Sequence, residues 1–143
     1  MSSIPKKYKA GENLFHDGDA SNCMFLVVKG TVSIRKGADN VAIEISKIYT
    51  NEVIGELSFF DRKPRSASAI ALTDVEVVEI PFESLDVMYH KVPPYLKTIM
   101  ASVAERFRKS NEMIRKLEKQ LAKFEYRPGA DSDDEPKDET PKK

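Results

Sequence analysis

Apolar positions follow a period of two as far as residue 80 and a helical period beyond it. Met24, Phe25, Leu26, Val27 and Val28 make a continuous apolar run of strand length. After Lys29-Gly30, the alternation of Val32 and Ile34 with Ser33 and Arg35 predicts a second strand, and the two are expected to pair as a hairpin. Gly37-Ala38-Asp39-Asn40 is a turn cluster, and Val41, Ile43 and Ile45 then alternate with Ala42, Glu44 and Ser46 in a third strand. Residues 66–72 and 75–80 predict two more, separated by Thr73-Asp74. Near the start, residues 8–15, followed by Asp17-Gly18-Asp19, read as a short strand between two glycine turns. Many short strands with regular turns predict a mainly β double-sheet roll or sandwich.

Pro81 marks the change of period. Phe82, Leu85, Met88 and Tyr89 predict a short helix ending near Pro93-Pro94. From Leu96 the apolar steps are four and three, through Met100, Val103 and Phe107, then Ser110, then Ile114, Leu117, Leu121 and Phe124. That is the seam of a two-stranded coiled coil with one polar interruption, so residues 96–124 are expected to form a homodimerisation helix. The competing reading is an amphipathic helix lying back on its own roll. Arg127-Pro128-Gly129 should end the helix, and the charged residues 130–143 should be a disordered, solvated tail. The expected division is a roll over 1–92, a long helix over 93–126 and a tail over 127–143.

Composition narrows the function. The net charge is zero, so no global field draws the chain to nucleic acid or an anionic membrane. No segment has the apolar length of a signal peptide core or a membrane span, and a cytoplasmic protein is expected. The single cysteine, Cys23, reads as a small core residue rather than a reactive thiol. With only His16 and His90, one in the opening turn and one on the short helix, no histidine cluster for a metal and no nucleophile–histidine triad can be argued. Enzymatic activity and a bound metal are therefore not expected.

The chemistry concentrates in residues 53–69. Gly55 allows a tight turn and close approach of a ligand to the backbone, and residues 56–60 give one or two helical turns before Pro64 stops them. Such a turn aims N–H groups and a positive dipole end at whatever lies beside Gly55. Arg65 opens the alternating run that follows, and that strand can return it to the helix mouth. The stretch reads as a holder for one small anion; the alternative is an ordinary loop in which Glu56 and Arg65 form a surface salt bridge.

Gly55-Glu56-Leu57-Ser58 followed by Pro64-Arg65-Ser66-Ala67 resembles the phosphate-binding cassette of the cyclic nucleotide-binding domain family. The succession Ala10-Gly11-Glu12, Leu14-Phe15 and Gly18-Asp19 resembles the opening of the same roll. The resemblance implies a jelly-roll-like β-roll, or double-stranded β-helix, followed by a short and a long helix. It implies that Glu56 accepts the ribose 2′-hydroxyl and Arg65 holds the cyclic phosphate, with the amides of Leu57, Ser58 and Ala67 and the Ser66 hydroxyl near its oxygens. Along the long helix it places Ser110 and Asn111 where the adenine amine would be met, from the same or the partner subunit. The residue types suit that ligand. A cyclic mononucleotide keeps one free 2′-hydroxyl and one negative charge, so it calls for a carboxylate beside a permanent cation with a planar fork of donors.

Cyclic AMP is the expected ligand, with cyclic GMP open because Ser66 directly follows Arg65. Beyond residue 124 there is no room for a recognition helix, and the tail is acidic on balance. No DNA-binding domain is expected, and the output of such a sensor would pass to an effector protein. A third reading keeps the fold as a ligand-free dimer platform; the intact pair of Glu56 and Arg65 argues against it.

Overall fold

The computed structural model describes residues 4–37 and 42–125. Its elements are β1 (Lys6–Tyr8), β2 (Asn13–Phe15), β3 (Cys23–Lys29), β4 (Val32–Lys36), β5 (Ile43–Ile48), β6 (Val53–Ile54), α1 (Leu57–Asp61), β7 (Ser68–Ala71), β8 (Val75–Pro81), α2 (Phe82–Tyr89) and α3 (Pro94–Glu125). The strands form two antiparallel four-stranded sheets, in the orders β1-β8-β3-β6 and β2-β7-β4-β5. The fold is the expected mainly β roll with C-terminal helices. Residues 38–40 of the expected turn over 37–40, the start of the third strand at Val41 and the tail over 127–143 lie outside the described residues.

The hairpin between the strands at 24–28 and 32–35 does not form. β3 pairs with β8 and β6, β4 with β7 and β5, so the two lie in different sheets. The physical reason lies at the corner between them. Gly30 has φ +97°, and a Cβ there would stand 2.4 Å from the Asp74 carbonyl oxygen. Thr31 N–H donates to Thr73 Oγ1 at 3.0 Å and Leu72 N–H to the Thr31 carbonyl at 2.9 Å. Two connections therefore cross between the sheets side by side, which lets Val27 and Val32, both fully buried, sit in one core cluster from different sheets. The single strand expected over 8–15 is likewise two strands, β1 pairing with β8 and β2 with β7. Gly11, with φ +92°, lies at the break.

The main core joins Phe25, Val27, Val32, Ile54, Ala69, Ala71, Val75 and Val77. A second cluster of Met24, Phe59 and Phe82, with Phe60, Leu85 and Tyr89 against it, ties α1 and α2 to the roll. Arg62 closes α1 in the left-handed region, at φ 59°. Its guanidinium lies 4.9 Å from the Phe59 ring centre and pairs with Asp86 of α2. The middle of α3 lies back across α1, β5 and β4, with Ala104 buried, as the competing reading of that helix held. Val103, Leu117 and Leu121 of the predicted seam stay exposed. No helix among the described residues is long and apolar enough to cross a membrane.

Gly30→Ala should destabilise the roll by about 2 kcal/mol or more, from left-handed strain plus the contact with a backbone oxygen. Denaturant unfolding measures it, and an unchanged midpoint would contradict the corner's role.

Candidate functional site

Arg65 is the most buried charged side chain described, at 5 % exposure. The chain holds it from both sides of its own peptide unit. Its N–H donates to the Asp19 carbonyl at 2.8 Å, and its carbonyl accepts from Gly18 N–H at 2.8 Å, so the turn after β2 clamps the start of the 65–71 segment. The guanidinium lies over the Phe15 ring, 4.3 Å from its centre. Nη1 donates to the Gly55 carbonyl at 3.2 Å and Nη2 to the Cys23 carbonyl at 2.6 Å. Nε is buried and has no hydrogen-bond partner among the described residues.

No carboxylate forms an ion pair with Arg65 among the described residues, so the surface salt bridge with Glu56 is not what these residues make. Burial lowers the Arg65 pKa, while the neighbouring Cys23, Asp19 and Glu56 pull it back. A guanidinium nevertheless stays charged in a protein. Burying a cation opposite carbonyls alone is costly unless an anion completes the shell.

Gly55 is required beside it. Its φ is +84°, and a Cβ there would fall 2.1 Å from Arg65 Nη1. Glu56 follows as the residue before α1, half-buried. Burial pushes its carboxyl above the usual range, while its own backbone N–H and the Arg65 charge pull it back. Cys23 is also pushed up by burial, against the pull of Arg65, which keeps it a thiol, in line with a packing residue.

Gly55, Glu56, Leu57, Ser58, Arg65, Ser66 and Ala67 all line one cavity of about 170 Å³. That is roughly ten times what one water needs, so the recess has ligand scale. Of the two residues expected from the long helix, Asn111 lines the cavity; Ser110 is exposed on α3 and outside its wall. Sequence reasoning missed Phe107, one turn before Asn111 on the same face, because it had been placed in the dimer seam. It also missed Phe15 and the apolar wall of Ile34, Ile45 and Ile48, whose only signal was strand alternation. The lining thus combines polar and charged groups with apolar side chains, which suits a ligand with an anionic end and a flat apolar end. Among the described residues, no group of three or more histidine, cysteine or acidic side chains is arranged to hold a metal ion.

Comparison with known proteins agrees with this fold. The family described as cyclic nucleotide-binding domain matches residues 5–91. The chain belongs to the cyclic nucleotide-binding domain family. It is 31 % identical over 101 residues to the cAMP-dependent protein kinase type II regulatory subunit of Drosophila melanogaster, covering 64 % of this chain and 27 % of that one. It is 29 % identical over 119 residues to the cyclic AMP receptor protein of Thermus thermophilus, covering 82 % and 53 %. The chain thus spans about half or less of these relatives' lengths. Among solved structures, an EAL enzyme in its cAMP-bound form superposes with a TM-score of 0.71 at 25 % identity, covering 83 % of this chain and 33 % of that one. The cGMP-bound form of the same enzyme gives 0.68 at 25 % identity, covering 73 % and 28 %.

The raised Glu56 pKa fixes a sign for stability. The folded state favours the neutral carboxyl, so this group's contribution is fully present below its ordinary value of 4.5 and is lost as pH rises through the raised one. Glu56→Gln should therefore gain stability over the unliganded wild type as pH rises through that window, the difference levelling off above it. Urea unfolding across pH 4 to 8 checks this, and a pH-independent difference would contradict it.

Proposed function

We propose that the protein is a cytoplasmic cyclic-nucleotide sensor that prefers cyclic AMP and signals to a partner protein by repositioning α3. In this reading residues 1–92 are the sensing roll, 93–126 the responding helix and 127–143 a charged tail. The observation that carries it is Arg65: a buried guanidinium with carbonyl partners, an unmatched Nε and, among the described residues, no ion-paired carboxylate, bonded to the carbonyl of Gly55 next to the half-buried Glu56. The cyclic phosphate supplies the missing anion to Arg65, with the amides of Leu57, Ser58 and Ala67 and the Ser66 hydroxyl around its oxygens. The ribose 2′-hydroxyl donates to Glu56 and offsets the carboxylate's desolvation. The base enters under Phe107 and Asn111, against the apolar wall.

Asn111 favours adenine, because its carboxamide oxygen can accept from the exocyclic amine and its NH₂ can donate to a ring nitrogen. Ser66 at the cavity keeps cyclic GMP as the second reading, since its hydroxyl can face the guanine 2-amino group. The exposed seam residues Val103, Leu117 and Leu121 support a homodimer formed outside the contact between α3 and its own roll.

Titration calorimetry tests the ligand. Cyclic AMP should bind, and Arg65→Ala should weaken it by roughly one to three powers of ten through the loss of a charged hydrogen-bond partner. No heat with either nucleotide from folded, nucleotide-free protein would sink the sensor reading. Sedimentation tests the dimer: Leu117→Asp with Leu121→Asp should convert a wild-type dimer to monomer, and a wild-type protein already monomeric at micromolar concentration would exclude it.

A further inference from the structure

Two pairs of side chains project from consecutive turns of α3, and they do different work. Phe107 and Asn111, four residues apart, line the cavity. Arg108 and Glu112, four apart on the adjoining stripe, reach its two rims. At one rim Arg108 grips the Asp61 carboxylate through Nε and Nη2, the latter at 2.9 Å from Oδ1. Its Nη1 donates to the Pro64 carbonyl at 3.1 Å, and Nη2 lies 3.4 Å from Ser58 Oγ. At the other rim Glu112 lies 3.7 Å from Lys36 Nζ, and Lys36 donates to the Ser66 carbonyl at 2.6 Å while pairing with Asp17 at 3.7 Å. Both anchors therefore end on the segment that carries the Glu56 and Arg65 machinery.

The two anchors differ in weight. The Arg108 and Asp61 side chains are 14 % and 8 % exposed, so their two-point charged contact is shielded from water rather than a surface pair. Burial alone would raise the Asp61 carboxyl, but the hydrogen bonds from Arg108 and from the Lys63 N–H, together with the charges of both residues, hold it below its ordinary value. Lys36 is 17 % and Glu112 38 % exposed, and Glu112 also accepts from Arg115 at 3.1 Å, so this second anchor is wetter and weaker.

Successive residues on a helix point about 100° apart, since a turn takes 3.6 residues. A helix clamped at 108 and 112 therefore has its rotation set, and that rotation decides that Asn111 and not Ser110 meets the cavity. We propose that Arg108 and Glu112 are positioning residues that fix the register of α3 over the cavity, so that one chain supplies Phe107 and Asn111 to the base and nucleotide selectivity depends on this clasp. The proposal rests on the cyclic-nucleotide reading of the site. Phosphate and ribose contacts come from the roll itself and do not need the clasp.

The test compares the wild type, Arg108→Gln, Glu112→Gln, and the charge exchange Asp61→Arg with Arg108→Asp, each titrated with cyclic AMP and cyclic GMP. The ratio of the two affinities should collapse toward unity in Arg108→Gln, by about five- to hundredfold, the worth of one base contact. The weaker ligand should lose only a small factor. Glu112→Gln should reduce the ratio less, and the charge exchange should restore part of it, which a merely structural role would not do. Hydrogen exchange of the ligand-free proteins supplies a readout without nucleotide, with amides over 104–112 losing protection in Arg108→Gln.

An unchanged ratio in Arg108→Gln, or a wild type that binds both nucleotides equally, overturns the proposal. If the wild type binds neither nucleotide, the reading beneath it falls too, and the exchange data then report the clasp alone.

Discussion

A buried guanidinium with no ion-paired carboxylate among the described residues is the constraint on which the rest of the site depends. Arg65 is held by the Gly55 and Cys23 carbonyls and laid over Phe15, which fixes its place without neutralising it. The turn at Gly18 and Asp19 clamps its backbone, and Gly55 has no room for a side chain beside it. Three separated segments thus converge to keep one charge aimed into a recess. Such convergence has a stability cost that, in the proposed sensor, a ligand's negative charge would offset, which is the physical content of a binding site prepared in advance.

The sheets serve that placement. Because the corners at Gly11 and Gly30 send the chain from one sheet to the other, β2 and β7 lie together in one sheet with Phe15 and the segment after Arg65 adjacent. β3, in the other sheet, brings the Cys23 carbonyl to the guanidinium from the opposite side. The second core cluster then couples α1 to α2 through Phe59, Phe82 and Tyr89, with ring centres 4.9 to 5.3 Å apart. In the proposed sensor, a displacement of α1 on ligand binding would press on α2, which leads directly into α3. Ligand can bias that arrangement only by the difference in its affinity for the alternative positions.

How much of this the sequence carried depended on range. The cassette residues were legible because Gly55, Glu56 and Arg65 stand close in the chain with a helix stop between them, and the cavity gathers seven of the eight cassette residues named from sequence, all but Pro64. Partner strands were less legible. Alternation reports which side of a strand is buried and is silent about which sheet it joins, so Val27 and Val32, buried from different sheets, read as a hairpin. The long helix presented a further ambiguity. Its apolar step pattern is the same for a dimer seam and for a helix laid on its own roll, and Phe107 faces the cavity from within that pattern. Arg108 and Asp61 are separated by 47 residues, and no local signal links them.

The most direct test of the central claim is the Arg65 Nε–H resonance followed by NMR as cyclic AMP is added. If a cyclic phosphate completes the shell of this cation, the resonance should shift on saturation and its exchange with water should slow, with no comparable change at Arg62. An Arg65 Nε–H signal that stays in place while the nucleotide is demonstrably bound would contradict the account, because the ligand's charge would then be held elsewhere.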